Sequence, residues 1–179
     1  MNKWAKLIAS ILICQMAGFV GSIFTASSIP TWYADLQKPT FSPPNWLFGP
    51  VWIILYTLMG ISLYLVFNKK KNIKTPLILF AVQLILNSIW SILFFGLQNP
   101  FYAFIEIIIL WIAILLTIIS FYKVSKNASL LLLPYIIWVS VATILNYYIW
   151  VLNPWYYGLF IWNILNITYF LKKKNKNEG

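Results

Sequence analysis

Histidine and arginine are absent from this 179-residue sequence, cysteine occurs once, and aspartate and glutamate together occur three times. Charged residues make up 9% of the chain, against about 25% in an ordinary soluble domain. Each shortage excludes something. The single Cys14 cannot close an internal disulfide. Without histidine and with one thiol there is no ligand set for zinc, and no metal site is expected. Without arginine there is no bidentate reading of phosphate, and the lysines sit where a membrane protein puts them, so no nucleic-acid partner is expected. What is abundant is apolar: 61% hydrophobic residues, 10 Trp, 11 Tyr and 13 Phe, and a mean hydropathy of +0.81. A soluble globular domain and a disordered chain are both excluded, and the chain reads as an all-α integral membrane protein.

Crossing a bilayer takes about 20 apolar residues in a helix. Five stretches reach that length: 7–26, 47–67, 76–97, 101–122 and 130–152. A sixth, 155–171, is shorter and carries Asn163 and Asn166. None alternates like a barrel strand. Asn99-Pro100 and Asn153-Pro154 mark turns, and Pro76 can open a helix. The lysines then set orientation. Lys3 and Lys6 precede the first span, Lys69, Lys70, Lys71 and Lys74 follow the second, Lys123 and Lys126 follow the fourth, and Lys172, Lys173, Lys174 and Lys176 follow residue 171. Only Lys38 lies in the other connections. Positive loops face the cytoplasm, which puts both termini inside and makes 155–171 a sixth crossing; an interfacial helix is the competing reading. The first run resembles a signal peptide but continues past Gly21 without a clear A-x-A site, and an uncleaved first helix is expected. Lysine without arginine, with abundant Ile and Asn, hints at an AT-rich bacterial genome and hence a multi-pass protein of the bacterial plasma membrane.

The one long connection, 27–45, holds Pro30, Pro39, Pro43 and Pro44 together with Trp32, Tyr33 and Phe41. Prolines restrict its backbone and the aromatics would be costly in water, so it is expected to form an ordered lid with Trp32 and Tyr33 facing a ligand.

Four segments carry a resemblance: Gly18-Phe19-Val20-Gly21, residues 32–56 (WYADLQKPTFSPPNWLFGPVWIILY), 83–97 (QLILNSIWSILFFGL) and 134–153 (PYIIWVSVATILNYYIWVLN). In this order and spacing the chain resembles the tryptophan-rich sensory protein and translocator protein family (TspO/MBR), over about residues 5–153. The resemblance implies a polytopic bundle of five transmembrane helices, residues 1–153, followed by a C-terminal extension, 154–179, whose candidate sixth span would depart from the family. It implies binding of porphyrin-type tetrapyrroles in a pocket inside the bundle, light- and oxygen-dependent degradation of them in some bacterial members, and no required cofactor. The matching positions are Trp32, Tyr33, Pro43, Pro44 and Trp46 in the loop, Trp52 and Tyr56 in the second span, Asn87 and Trp90 in the third, and Trp138, Ala142, Leu145 and Asn146 in the fifth. Trp52 and Trp138 match the tryptophans implicated in the photochemistry, and so are the candidate catalytic residues.

The residues lend support of their own. Gln83, Asn87, Trp90 and Ser91 share one helical face, and Tyr135, Trp138, Ala142 and Asn146 another. Polar groups avoid lipid, so both faces look inward. Asn87 and Gln83 suit either ligand contact or interhelical bonds worth ~0.6–2 kcal/mol each. Tryptophans beside them could stack on a flat ligand, whose propionates would find donors in Asn, Trp and Lys38. Haem iron could be held only by Cys14, a Met or a Tyr, which favours a metal-free porphyrin or an open-chain product. No conventional nucleophile–base pair can be assembled, and whether the chain is an enzyme stays open. Glu106, an acid inside the fourth span, is either functional or hydrogen bonded structurally. Ala17/Gly21 and Gly18/Ser22 are small-residue pairs suited to close helix contact, in the bundle or in a homodimer. The alternative functions are a carrier of small apolar molecules and a ligand-sensing regulator.

Overall fold

A computed structural model describes residues 2–69 and 71–154 of the chain, and every structural statement below concerns these. They form helices α1 (Lys3–Ser28), α2 (Trp32–Asp35), α3 (Asn45–Phe67), α4 (Lys74–Ser91), α5 (Pro100–Val124), α6 (Lys126–Leu130) and α7 (Leu133–Leu152), with no strand among them. Five segments are long and apolar enough to cross a membrane: Lys3–Ser28, Asn45–Phe67, Lys74–Gly96, Pro100–Val124 and Lys126–Leu152. The five expected spans are therefore present, each differing by a few residues at its ends. The expected sixth span, 155–171, lies outside the described residues.

Local chemistry explains the helix ends. Asn2 accepts from the Trp4 N–H at the start of α1, Asn99 accepts from the Tyr102 N–H ahead of Pro100, and Ser125 caps α6. α3 starts directly after Pro44, which holds an extended backbone. Pro50 lies one turn further on and lacks the N–H that would bond the Trp46 carbonyl, so the first turn of α3 is held by fewer bonds than the rest. α4 does not end as a plain helix. It passes into a π-helical turn, Ile92–Gly96, closed by the Leu97 N–H on the Ile92 carbonyl at 2.7 Å, and Gln98 then takes a left-handed conformation at φ 51°. Hydropathy alone reads 76–97 as one uniform helix, because a widened turn leaves no mark on it.

The outer faces carry the exposed Ile8, Leu12, Phe19, Ile85, Ile109, Ile112, Ile137 and Ile144. So large an apolar surface suits lipid rather than water. Inside, Met59, Leu63, Val66, Ile107, Ile114 and Tyr135 form one buried cluster, with Phe80 stacked on Phe121 at 5.6 Å. A second cluster, at the α2 end, contains Trp32, Tyr33, Leu36, Phe94, Phe95, Leu145 and Ile149. The lysine-bearing connections share the opposite end, where Lys71 Nζ donates to the Lys123 carbonyl at 3.0 Å.

Small residues set how α1 and α3 meet. A Cβ at Gly60 would stand 2.5 Å from the Ile11 Cα, so the two backbones touch there. A Cβ at Gly18 would run into the Tyr56 ring, and one at Gly21 would stand 2.9 Å from the Ser91 hydroxyl. Ala17, Gly18 and Gly21 are thus used for contacts within the bundle. Near the lid the helices part, and a Cβ at Gly49 would meet nothing within 4 Å.

Candidate functional site beneath the lid

The 27–45 connection packs onto the bundle, and it contains one helical turn that the sequence pattern did not foretell, α2. Tyr33 is 2% exposed and Trp32 7%. Their seat is the π-turn. Trp32 meets Phe94 edge-on at 5.5 Å, and Tyr33 lies 5.7 Å from Phe95 and 6.4 Å from Phe48, ring centre to ring centre. Ser28 Oγ donates to the Phe95 carbonyl at 2.8 Å. The widened turn presents the adjacent Phe94 and Phe95 to the same interior cluster.

Polar contacts close the lid from outside. Asn153 Nδ2 donates to the Gln37 carbonyl at 2.9 Å, and the Gln37 N–H donates to Asn153 Oδ1 at 2.8 Å. Lys38 Nζ donates to the Ala34 and Leu36 carbonyls, at 3.2 Å each, and lies 4.8 Å from the centre of the Tyr33 ring. Partial desolvation lowers the pKa of Lys38, with nearby Asp35 pulling the other way. Burial pushes the Tyr33 phenol up to about 12.

Under the lid is a small apolar cavity of about 20 Å³, room for a single water. Its walls are Tyr33, Phe48, Trp90, Phe94, Phe95, Ala142, Leu145 and Asn146. Trp90 stacks on Phe94 at 5.1 Å, and its Nε1 donates to Asn146 Oδ1 at 3.0 Å. Asn146 Nδ2 in turn donates to the Pro100 carbonyl at 2.7 Å, so both ends of the amide are used. Beside this cavity lies a much larger space, a groove of about 590 Å³ between α1 and α3. Trp52 and Tyr56, stacked at 5.4 Å, form one wall, and Gly18, Gly21 and Ser91 form part of the lining. Phe48 lines both spaces.

The residues singled out by sequence therefore divide. Tyr33, Trp90, Ala142, Leu145 and Asn146 come together around the inner cavity. Trp52 and Tyr56 face the groove. Trp138 packs edge-on against Phe48 at 6.1 Å without lining either space. Trp32 lies against Phe94 and is not in the cavity wall, and Pro43 and Pro44 deliver the chain into α3. Trp46 is 72% exposed and faces outward. Asn87 accepts from the Tyr56 hydroxyl and donates to the Tyr135 hydroxyl at 3.0 Å, tying three spans together. Gln83 and Glu106 are buried, and their side-chain polar atoms have no hydrogen-bond partner among the described residues. Sequence reasoning passed over Phe48, Phe94 and Phe95. For Phe48 a signal existed, since Asn45, Phe48, Gly49, Trp52 and Tyr56 share one helical face.

The TspO/MBR family model matches residues 10–151. Among curated proteins, the Tryptophan-rich protein TspO of Archaeoglobus fulgidus is 54% identical over 149 residues, covering 83% of this chain and 97% of that protein. The protein of the same name from Chlorobaculum tepidum is 46% identical, over 86% of this chain and all of its own length. The human Translocator protein is 37% identical, over 82% of this chain and 89% of its own.

Proposed function

The chain belongs to the TspO/MBR family, and from that premise we propose that it binds a porphyrin-type tetrapyrrole in the bundle beneath the lid. The observation that carries this reading is the wall of Tyr33, Phe48, Trp90, Phe94 and Phe95 rings around one polar pair, Trp90–Asn146. Aromatic faces stack on a flat macrocycle, and the indole and amide fix its orientation. At about 20 Å³ the cavity is too small for such a ligand, since a drug-sized one needs roughly 300 Å³ or more, so binding requires the lining rings to move. Opening it means displacing rings rather than unfolding helices. The membrane is a bacterial plasma membrane, with the lid on its outer side, opposite the lysine-bearing connections. Lys38 then stands at the mouth to meet the propionates. In this reading Trp52, which lines the groove, and Trp138, which packs on Phe48, serve as electron donors in light-driven breakdown of the bound chromophore.

Titrating the reconstituted protein with protoporphyrin and following tryptophan fluorescence tests the reading. Saturable quenching that weakens when Ala142→Phe fills the cavity is expected; quenching equal to that of free tryptophan in the same vesicles would refute it. The groove that opens between two spans favours a second reading, carriage of the same ligand, which porphyrin flux into liposomes would report.

A further inference from the structure

Phe48 lines both the inner cavity and the groove, and from this we infer that the α1–α3 groove is a lateral port through which a flat apolar ligand passes between the bilayer and the cavity, with Phe48 as its gate. The inference rests on the tetrapyrrole reading above and adds to it a route and a gating residue.

Three observations carry it. The groove has the volume of a small-molecule site, about 590 Å³, and it lies between two membrane spans, lined by Leu12, Met16, Phe19 and Ile53 from their exposed outer faces. It therefore opens into lipid, where an apolar ligand is dissolved. The top of the bundle, by contrast, is shut: Trp32 and Tyr33 are buried, and Gln37 is bonded twice to Asn153. Leaving by the lid means breaking those bonds and exposing both rings, whereas leaving sideways means moving Phe48. Finally, Phe48 sits where α3 yields most easily. It belongs to the first turn, immediately before Gly49-Pro50, and Pro50 withholds a backbone bond from that turn. Gly49 adds conformational freedom and faces open space. Phe48 itself is only half-buried, held by edge contacts to Tyr33 and Trp138. Rotation of this ring joins cavity and groove without disturbing the touching backbones at Gly60 and Ile11.

The test uses the full chain in phosphatidylcholine vesicles with protoporphyrin dissolved in the bilayer, and reads tryptophan quenching by stopped flow. Gly49→Leu places a side chain in the groove where a Cβ meets nothing within 4 Å, so the fold is kept and the port is plugged. Association and release should both slow by about tenfold, with the Kd held within about threefold. Phe48→Ala should speed both steps. Asn153→Ala, which unlatches the lid, should change neither by more than about twofold. The port is wrong if Gly49→Leu leaves both rates unchanged while Asn153→Ala raises them, because the ligand then passes the lid. It is also wrong if Gly49→Leu weakens affinity through faster release alone, because the groove is then part of the seat. Absence of saturable quenching in the unmodified protein would sink the tetrapyrrole reading, and the port with it; the first two outcomes sink the port alone.

Discussion

Asn153 and Gln37 are 116 positions apart and exchange two hydrogen bonds, so the residue that ends the last described span also fastens the lid of the first connection. A third bond, from Asn153 Nδ2 to the Ile149 carbonyl at 2.8 Å, holds the amide in place on α7. Asn153→Ala removes these bonds and leaves the Gln37 backbone groups to water, a loss of about 1–3 kcal/mol in lid closure. Amide exchange of 31–41 should accelerate severalfold while that of α5 stays as it was. Equal exchange in both proteins would show that the aromatic seat alone holds the lid.

Lid closure should also depend on pH in the alkaline range. The Tyr33 phenol has its pKa raised by burial from 10.0 to about 12, so the closed lid favours the neutral ring. Its contribution is fully present below pH 10 and is lost as pH rises toward 12. Proteolysis of 27–45 should increase over that interval, and Tyr33→Phe should abolish the increase. A Phe variant with the same alkaline transition as the unmodified protein would assign it to another group.

Two glycines of α3 should respond oppositely to one added methyl. Gly60→Ala forces a carbon to 2.5 Å of the Ile11 backbone, which no side-chain rotation relieves. A loss of about 1–3 kcal/mol is expected from this overpacking, read as a lower thermal midpoint in detergent. Gly49→Ala meets open space and should keep or raise that midpoint, since alanine favours a helix by up to about 1 kcal/mol over glycine. Equal destabilisation by both would mean that α1 and α3 do not cross as described.

Light-driven breakdown of the proposed ligand should run through Trp52 and Trp138. Under illumination the protein with protoporphyrin should develop product absorption bands that disappear in Trp52→Phe and Trp138→Phe. Bleaching no faster than in detergent alone would leave binding without chemistry.

The five spans were legible in the sequence because a helix in lipid must satisfy every backbone group within itself, and a run of about 20 apolar residues is therefore a local signal. The lysine distribution is likewise read without a fold, and four motifs with their spacing were enough to reach the family that the comparisons then supported. The expectation of an ordered lid also came from local facts, prolines that restrict the backbone and aromatics that water would penalise. What only the tertiary structure decided is which inward residue touches what. Asn87 and Asn146 look alike in sequence, each an asparagine on a tryptophan-bearing inward face. One bridges Tyr56 and Tyr135, while the other lines the cavity beside Trp90. That difference comes from how α4 and α7 are turned against their neighbours, which brings Asn87 to two tyrosines and Asn146 to Trp90. The seating of Phe94 and Phe95 against the lid, and the parting of α1 from α3 beside Phe48, are likewise tertiary facts. They involve contacts between residues far apart in the chain, which periodicity within one helix does not encode.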